Sequence, residues 1–258
     1  MSFLEILAQP ETWQLVGVLC LGIFVQAAAG FAGGLVIVPL LLWAGYSIPE
    51  AQTSLLVATI PQNLWGVVSF RDALDSKRLV WPGAARLLFL PLGVLTLQWM
   101  ESFSMVTLRQ IVGVAVLSAT LATMLFRPKP RDQVASFWSY LVFPLSGFLQ
   151  GLVGMGGPPM VLWVQAHDWD TRRMRGFLFS MYLISLAPGI AVLVWFFGSR
   201  VIPPALIAAA AIPILLAVTW VGLKVGTALG TQRLRRITMA LLLLMGLAGL
   251  AAPWLSPA

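Results

Sequence analysis

The long stretches of this chain that contain no Asp, Glu, Lys or Arg include 12–49, 51–70, 110–126, 133–167, 176–199, 201–223 and 237–258. Most match or exceed the roughly 20 apolar residues that cross a bilayer. Of 258 residues, 59% are hydrophobic and 10% charged, against about a quarter charged in a soluble domain. A water-soluble globule is excluded. The lone cysteine, Cys20, lies inside the first stretch, so there is no disulfide framework and no thiolate metal site. Glu5 and Glu11 precede that stretch where a basic n-region would stand, so it does not read as a cleaved signal peptide. The net charge of +7 points to membrane orientation rather than nucleic acid, because Lys and Arg accumulate in cytoplasmic loops.

The pattern predicts an all-α integral membrane protein with one transmembrane domain over 1–258. Its segments are expected at 13–29, 30–45, 51–70, 79–100, 105–126, 137–153, 158–167, 176–198, 203–222 and 237–254. The two longest charge-free stretches carry glycine clusters near their middles, Gly30, Gly33 and Gly34 in one and Gly154, Gly156 and Gly157 followed by Pro158 and Pro159 in the other. Each cluster should break a helix. After the second, about ten residues remain before His167 and Asp168, a reach of about 15 Å or half the hydrocarbon core. That arm suits a re-entrant hairpin that dips to mid-membrane and returns.

Charge placement supports the hairpins. With both re-entrant, four clusters fall on one side: Arg71, Lys77 and Arg78; Arg127, Lys129 and Arg131; Arg172, Arg173 and Arg175; Lys224, Arg233, Arg235 and Arg236. That is 3 + 3 + 3 + 4 = 13 of 16 basic residues on the cytoplasmic face. Arg109 and Arg200 fall outside, Arg86 is expected near the inner end of its helix, and both termini are expected outside. Tryptophans near segment ends, among them Trp13, Trp81, Trp99 and Trp254, suit interfacial anchoring.

The clusters also superpose. Gln26, Gly30, Ala32 and Gly33 match Gln150, Gly154, Gly156 and Gly157 at an offset of 124, and 108–112 resembles 234–238 at an offset of 126. Pro61 pairs with Pro188. Each half, about 12–131 and 136–256, then holds one re-entrant hairpin and three transmembrane helices. An odd number of crossings makes the repeat inverted, a construction many secondary transporters share.

The segments 30–39 (GFAGGLVIVP), 47–54 (SIPEAQTS), 147–151 (GFLQG) and 154–159 (GMGGPP) resemble the TauE/SafE sulfite exporter family, also called the 4-toluene sulfonate uptake permease family. The resemblance runs from about 16 to 250. It implies a multi-pass transporter of the bacterial inner membrane that moves small sulfur-containing anions, such as sulfite, sulfonates or sulfoacetate, commonly outward. One departure is that Pro158 and Pro159 stand where the first half has Gly34 and Leu35, so the two arms need not share one geometry.

An anion at mid-membrane needs donors to replace its water. Helix starts after Gly33–Gly34 and after Gly156–Gly157 would supply unpaired N–H groups and the positive end of a helix dipole. Pro158 suits such a start. The same glycines also suit close helix packing. Gln26 and Gln150, one turn earlier, can donate to the anion or tie down the broken backbone. Thr59 and Asn63 share a helix face with Trp65 nearby, and Ser180 and Tyr182 lie on the counterpart helix. Hydroxyls there can equally bond back to their own backbone. No acid sits within a span's middle, so the usual carboxylate relay is missing. His167, Arg71 and Arg175 are candidate gating residues at the cytoplasmic mouth, although interfacial and orienting roles suit them too.

The expected function is thus a transporter of small sulfur anions embedded in a lipid bilayer, with no cofactor, no metal and no nucleic-acid partner. A channel-like permease for other anions is the alternative. A membrane enzyme is disfavoured: H-E-x-x-H and G-x-S-x-G are absent, and the D-x-D pair Asp168 and Asp170 is flanked by Arg172 and Arg173. A purely structural role would not require two polar breaks aimed at mid-membrane.

Overall fold

The computed structural model describes residues 10–29, 32–73, 75–126, 128–132, 134–229 and 231–255. Glycine and proline punctuation divides a uniformly apolar chain into helices. The first hairpin pairs α1 (Pro10–Ala29) with α2 (Gly33–Trp43), and α3 (Ile48–Ser69) follows. A capping box starts α3, in which the Ser47 backbone N–H donates to the Glu50 carboxylate at 2.7 Å and the Ser47 hydroxyl donates to it at 2.6 Å. Next come α4 (Lys77–Met100) and α5 (Met105–Leu125). The second half of the chain holds α6 (Ser136–Val153), α7 (Gly157–Gln165), α8 (Thr171–Phe197), α9 (Ile202–Ala210), α10 (Ile212–Leu229) and α11 (Thr231–Leu250).

Two arms are short. The 11 residues of α2 and the 9 of α7 reach only about 16 and 14 Å, while α1, α4, α5 and the α8–α9 stretch are long and apolar enough to cross a membrane. The sequence led us to expect a single helix over 203–222. The structure divides it at Ala211, because Pro213 has no N–H for the carbonyl one turn back. In α8, Asp170 accepts the Arg173 N–H at 2.7 Å, so the helix begins earlier than the charge-free stretch that follows it. That cap gives the second acid of the D-x-D pair a local, structural task.

Where helices touch, glycine decides how closely. A β-carbon at Gly147 or Gly151 on α6 would overlap the backbone of α4 at Arg86 or Leu90, and one at Gly93 on α4 would overlap α6. The α4–α6 seam is therefore backbone against backbone. The α5–α11 seam is similar, through Gly113 and Gly249. Across the molecule α1 packs on α10 as α6 packs on α4; α9 packs on α3 as α4 packs on α8; α2 meets α11 as α7 meets α5. The pairs α3–α8 and α5–α11 map onto themselves when the halves are exchanged.

Polarity runs inward on α3. Gln52, Thr53, Ser54, Thr59, Gln62 and Asn63 are buried, while Trp65 and Val68 are 70% and 65% exposed. A helix with amides inside and bulky apolar groups outside suits a lipid surround and an internal polar space. Among the described residues the one β-bridge joins Arg131 to His167, with the Arg131 N–H on the Ala166 carbonyl and the Asp168 N–H on the Arg131 carbonyl, both at 3.0 Å. It ties the connection between the halves to the end of α7.

Candidate functional site

The two hairpin tips meet. A β-carbon at Gly34, in the first turn of α2, would stand 2.5 Å from the Gly154 carbonyl oxygen at the end of α6. Gly154 ends α6 in the left-handed region at φ 71°, where glycine carries no penalty. Ala32, the residue before α2, takes the same region at φ 84° with a β-carbon in place, a strained conformation for alanine. Its carbonyl accepts the first helical bond, from the Val36 N–H at 3.1 Å. Gln26 folds over Gly33 so closely that any β-carbon there would overlap it. A β-carbon at Gly157 would stand 2.7 Å from the Tyr182 hydroxyl.

Between the tips lies a cavity of about 60 Å³. Backbone from both tips lines it, together with Gln26 of α1, Thr59 and Asn63 of α3, Arg86 of α4, Gln150 of α6, and Tyr182 and Ser185 of α8. Leu55, Leu56, Leu186 and Met155 close the rest. A space that holds one water needs roughly 10–15 Å³ on this scale, so the cavity takes about four water-sized groups.

Arg86 dominates the electrostatics. It is 1% exposed and stands nine residues into a 24-residue helix, about 14 Å from its start. Its Nε donates to the Ser185 hydroxyl at 3.1 Å. Nη1 donates to the Ser146 hydroxyl, approaches the Gly156 carbonyl at 3.5 Å and lies 3.2 Å from the Met160 sulfur. Nη2 donates to the Gln150 Oε1 at 3.2 Å. Ser146 relays on to the Gly156 carbonyl at 2.5 Å. Every one of these acceptors is neutral. Among the described residues no carboxylate pairs with Arg86, and the second Nη2 hydrogen has no acceptor. A buried arginine at mid-span costs about 2.5–3.5 kcal/mol even on lenient scales.

Other cavity groups also lack a protein partner. Asn63 is 1% exposed and its Oδ1 is unpaired, and the Tyr182 hydroxyl makes no hydrogen bond among the described residues. Buried polar groups are seldom left this way without a ligand or water to meet them. Hydroxyls elsewhere on α3 are already used. Thr53, Ser54 and Thr59 donate to the Pro49, Glu50 and Leu56 carbonyls at 2.8, 2.8 and 3.0 Å.

Most of the residues proposed from sequence come together here: Gln26, Gly33, Gly34, Thr59, Asn63, Gln150, Gly154, Gly157, Pro158 and Tyr182 all line the cavity. Gly30 lies outside the described residues. Gly156 stands just behind the wall and contributes its carbonyl to Arg86. Ser180 is buried with its hydroxyl unpartnered and lies off the cavity. Trp65 faces outward. The candidate gating residues lie off the cavity. Arg71 is exposed beside Asp72, Arg175 is exposed, and neither reaches the cavity. His167 packs between Trp163 and Trp169, with ring centroids at 4.1 and 4.6 Å, and its Nδ1 lies 2.9 Å from the Trp163 carbonyl. Burial lowers its pKa below the ordinary histidine value, the Trp163 bond opposes this, and the charges of Arg78 and Arg173 lower it further. The expectation for Arg86 is corrected: it sits deep in the protein and not near a helix mouth. Arg109 has a separate task at the end of α2, where it donates to the Leu42 carbonyl at 3.3 Å and stacks over Trp43.

A helical protein with several membrane-crossing segments and a small internal cavity carrying one cation is built as a membrane transporter of the multi-pass type. The family model for the sulfite exporter TauE/SafE matches residues 15–249, and the chain belongs to that family. No curated protein and no solved structure matches it. The family is described as one of sulfite exporters, and with its long apolar helices the chain is a multi-pass membrane transport protein. Among the described residues no group of His, Cys, Asp or Glu could hold a metal ion.

Proposed function

We propose that this protein exports small sulfur oxyanions, sulfite foremost, across a bacterial inner membrane by alternating access. The cargo is held at mid-membrane between the two hairpin tips. The single observation that carries this reading is Arg86, a buried cation with no carboxylate partner on the wall of the one cavity where both glycine-broken tips meet. The start of α2 adds unpaired backbone N–H groups and its dipole; the Tyr182 hydroxyl adds a donor without a protein partner. Four water-sized positions suit one sulfur and three oxygens. Larger sulfonates require the wall of Leu55, Leu56 and Leu186 to yield.

We take the chain as an inverted repeat of about 12–131 and 136–256, with re-entrant hairpins α1–α2 and α6–α7 and both termini outside. The exchange of helix pairings between the halves and the half-length arms support this. The topology is tested by cysteine labelling at Ser47 and Thr171 in a Cys20→Ser background, which should react from opposite faces. Reaction from the same face contradicts it. The function is tested by flux of sulfite, sulfate, thiosulfate, acetate and sulfonates through the purified protein in proteoliposomes. Sulfite should move fastest; acetate moving as fast as sulfite would reassign the cargo.

A further inference from the structure

Seven helices line the cavity, yet only two of the lining side chains ionise, Arg86 from α4 and Tyr182 from α8. What α1, α2, α3, α6 and α7 present there is amide, hydroxyl, backbone and aliphatic, with no carboxylate and no imidazole. Glu50 is held in the capping box at the far start of α3, and His167 is stacked between two tryptophans away from the cavity. A guanidinium does not deprotonate in a protein, and a tyrosine phenol keeps its proton near neutral pH. Nothing on the cavity wall can therefore pick up a proton on one side of the membrane and release it on the other. The wall's fixed charge is also a single unit. A monoanion beside Arg86 leaves the cavity neutral. A dianion leaves one negative charge uncompensated in a region that penalises it heavily.

We infer that the protein moves a singly charged oxyanion alone, with no coupling proton, so that each turnover carries one net negative charge across the membrane. The inference rests on the cavity being the cargo site. Arg86 then sets the charge state of the cargo as well as its sign: hydrogen sulfite is accepted and the sulfite or sulfate dianion is discriminated against. An inside-negative potential pushes such a carrier outward and makes it an exporter without any ion gradient spent in exchange.

The test uses the full-length protein in proteoliposomes, with a potential set by a potassium gradient and valinomycin and a trapped dye reading internal pH. Three cargoes are compared: methanesulfonate, a monoanion throughout the pH range; sulfate, a dianion throughout; and sulfite on either side of its second dissociation. Methanesulfonate and hydrogen sulfite should leave faster when the interior is negative, and their steady-state distribution should shift about 50-fold for about 100 mV, the effect of that potential on one elementary charge. No proton should accompany methanesulfonate, whereas hydrogen sulfite takes its own bound proton with it. Sulfate should move at least about tenfold more slowly, and sulfite flux should fall as the dianion replaces hydrogen sulfite while methanesulfonate flux stays level. Because methanesulfonate keeps its charge, it separates titration of the cargo from titration of Arg86, Tyr182 or His167. Flux indifferent to potential, one proton moved per methanesulfonate, or sulfate as fast as methanesulfonate would overturn this inference and leave the transport assignment standing. No flux of any anion would overturn both.

Discussion

At the first hairpin tip Ala32, Gly33, Gly34 and Leu35 open α2, so the four backbone N–H groups that a helix start leaves unpaired are all present. At the second, the equivalent four positions are Gly156, Gly157, Pro158 and Pro159, and the prolines remove two of the donors. Arg86 stands beside that poorer tip, bonded to Ser146, Gln150 and the Gly156 carbonyl. One tip thus offers a dipole and amides, and the other a full charge. Sequence symmetry had suggested that both arms do the same work. The structure gives the cavity two unlike walls, and on the proposed function these would orient a bound anion.

The comparison can be broken most severely at the tips themselves. Gly33→Leu combined with Gly157→Leu drives side chains into Gln26 and Tyr182, and flux in proteoliposomes should fall below detection while the protein still expresses. Arg86→Gln removes the charge from one wall only. Loss of a charged hydrogen bond of up to about 3 kcal/mol predicts a flux or affinity drop of about 100-fold. Arg86→Lys keeps the charge without the planar fork and should lose about tenfold. If Arg86→Gln transports at the wild-type rate, the division of labour is wrong.

Smaller changes sharpen it. Pro158→Ala with Pro159→Ala returns two N–H groups to the second tip, and anion affinity should rise about two- to fivefold by titration of binding, with flux less dependent on Arg86. Ala32→Gly removes left-handed strain at the first tip against the entropic penalty of glycine, and should stabilise the protein by roughly 0.5–1 kcal/mol in thermal unfolding. The smallest effect is at the edge of the second hairpin. Because burial depresses the His167 pKa, the unfolded chain binds the proton more readily than the folded one. Its contribution to stability is present above the ordinary histidine value and is lost as pH falls through the folded value. His167→Gln should flatten that acid limb of Tm against pH.

Much of this was legible in the chain. Charge-free runs and glycine clusters are local signals, and they placed the two breaks, the short arms and ten of the cavity residues. Arg86 was not legible as a site residue, for two reasons. It lies nine residues from Lys77, so it resembled one more orienting charge at a helix end. It also has no counterpart in the second half, where Ala210, Ala211 and Ile212 occupy the matching positions. A search for what the halves share passes over what they do not. The break at Ala211 had a visible cause in Pro213, but the apolar run around it hid the consequence. For His167, Arg71 and Arg175 the chain gave the position between helices and not the direction of the side chain.

Hydropathy adds up residue by residue, so sequence alone determined that the chain lives in a membrane, folds as helices and breaks at two glycine clusters. Which wall carries the charge was decided only by tertiary packing. Gly147 and Gly151 let α6 lie backbone to backbone on α4, which brings Ser146 and Gln150 to Arg86 from some 60 residues away, while Ser185 reaches it from 99 residues away. Such contacts depend on the shape of both partners at once, and a one-dimensional pattern holds only one of them at a time.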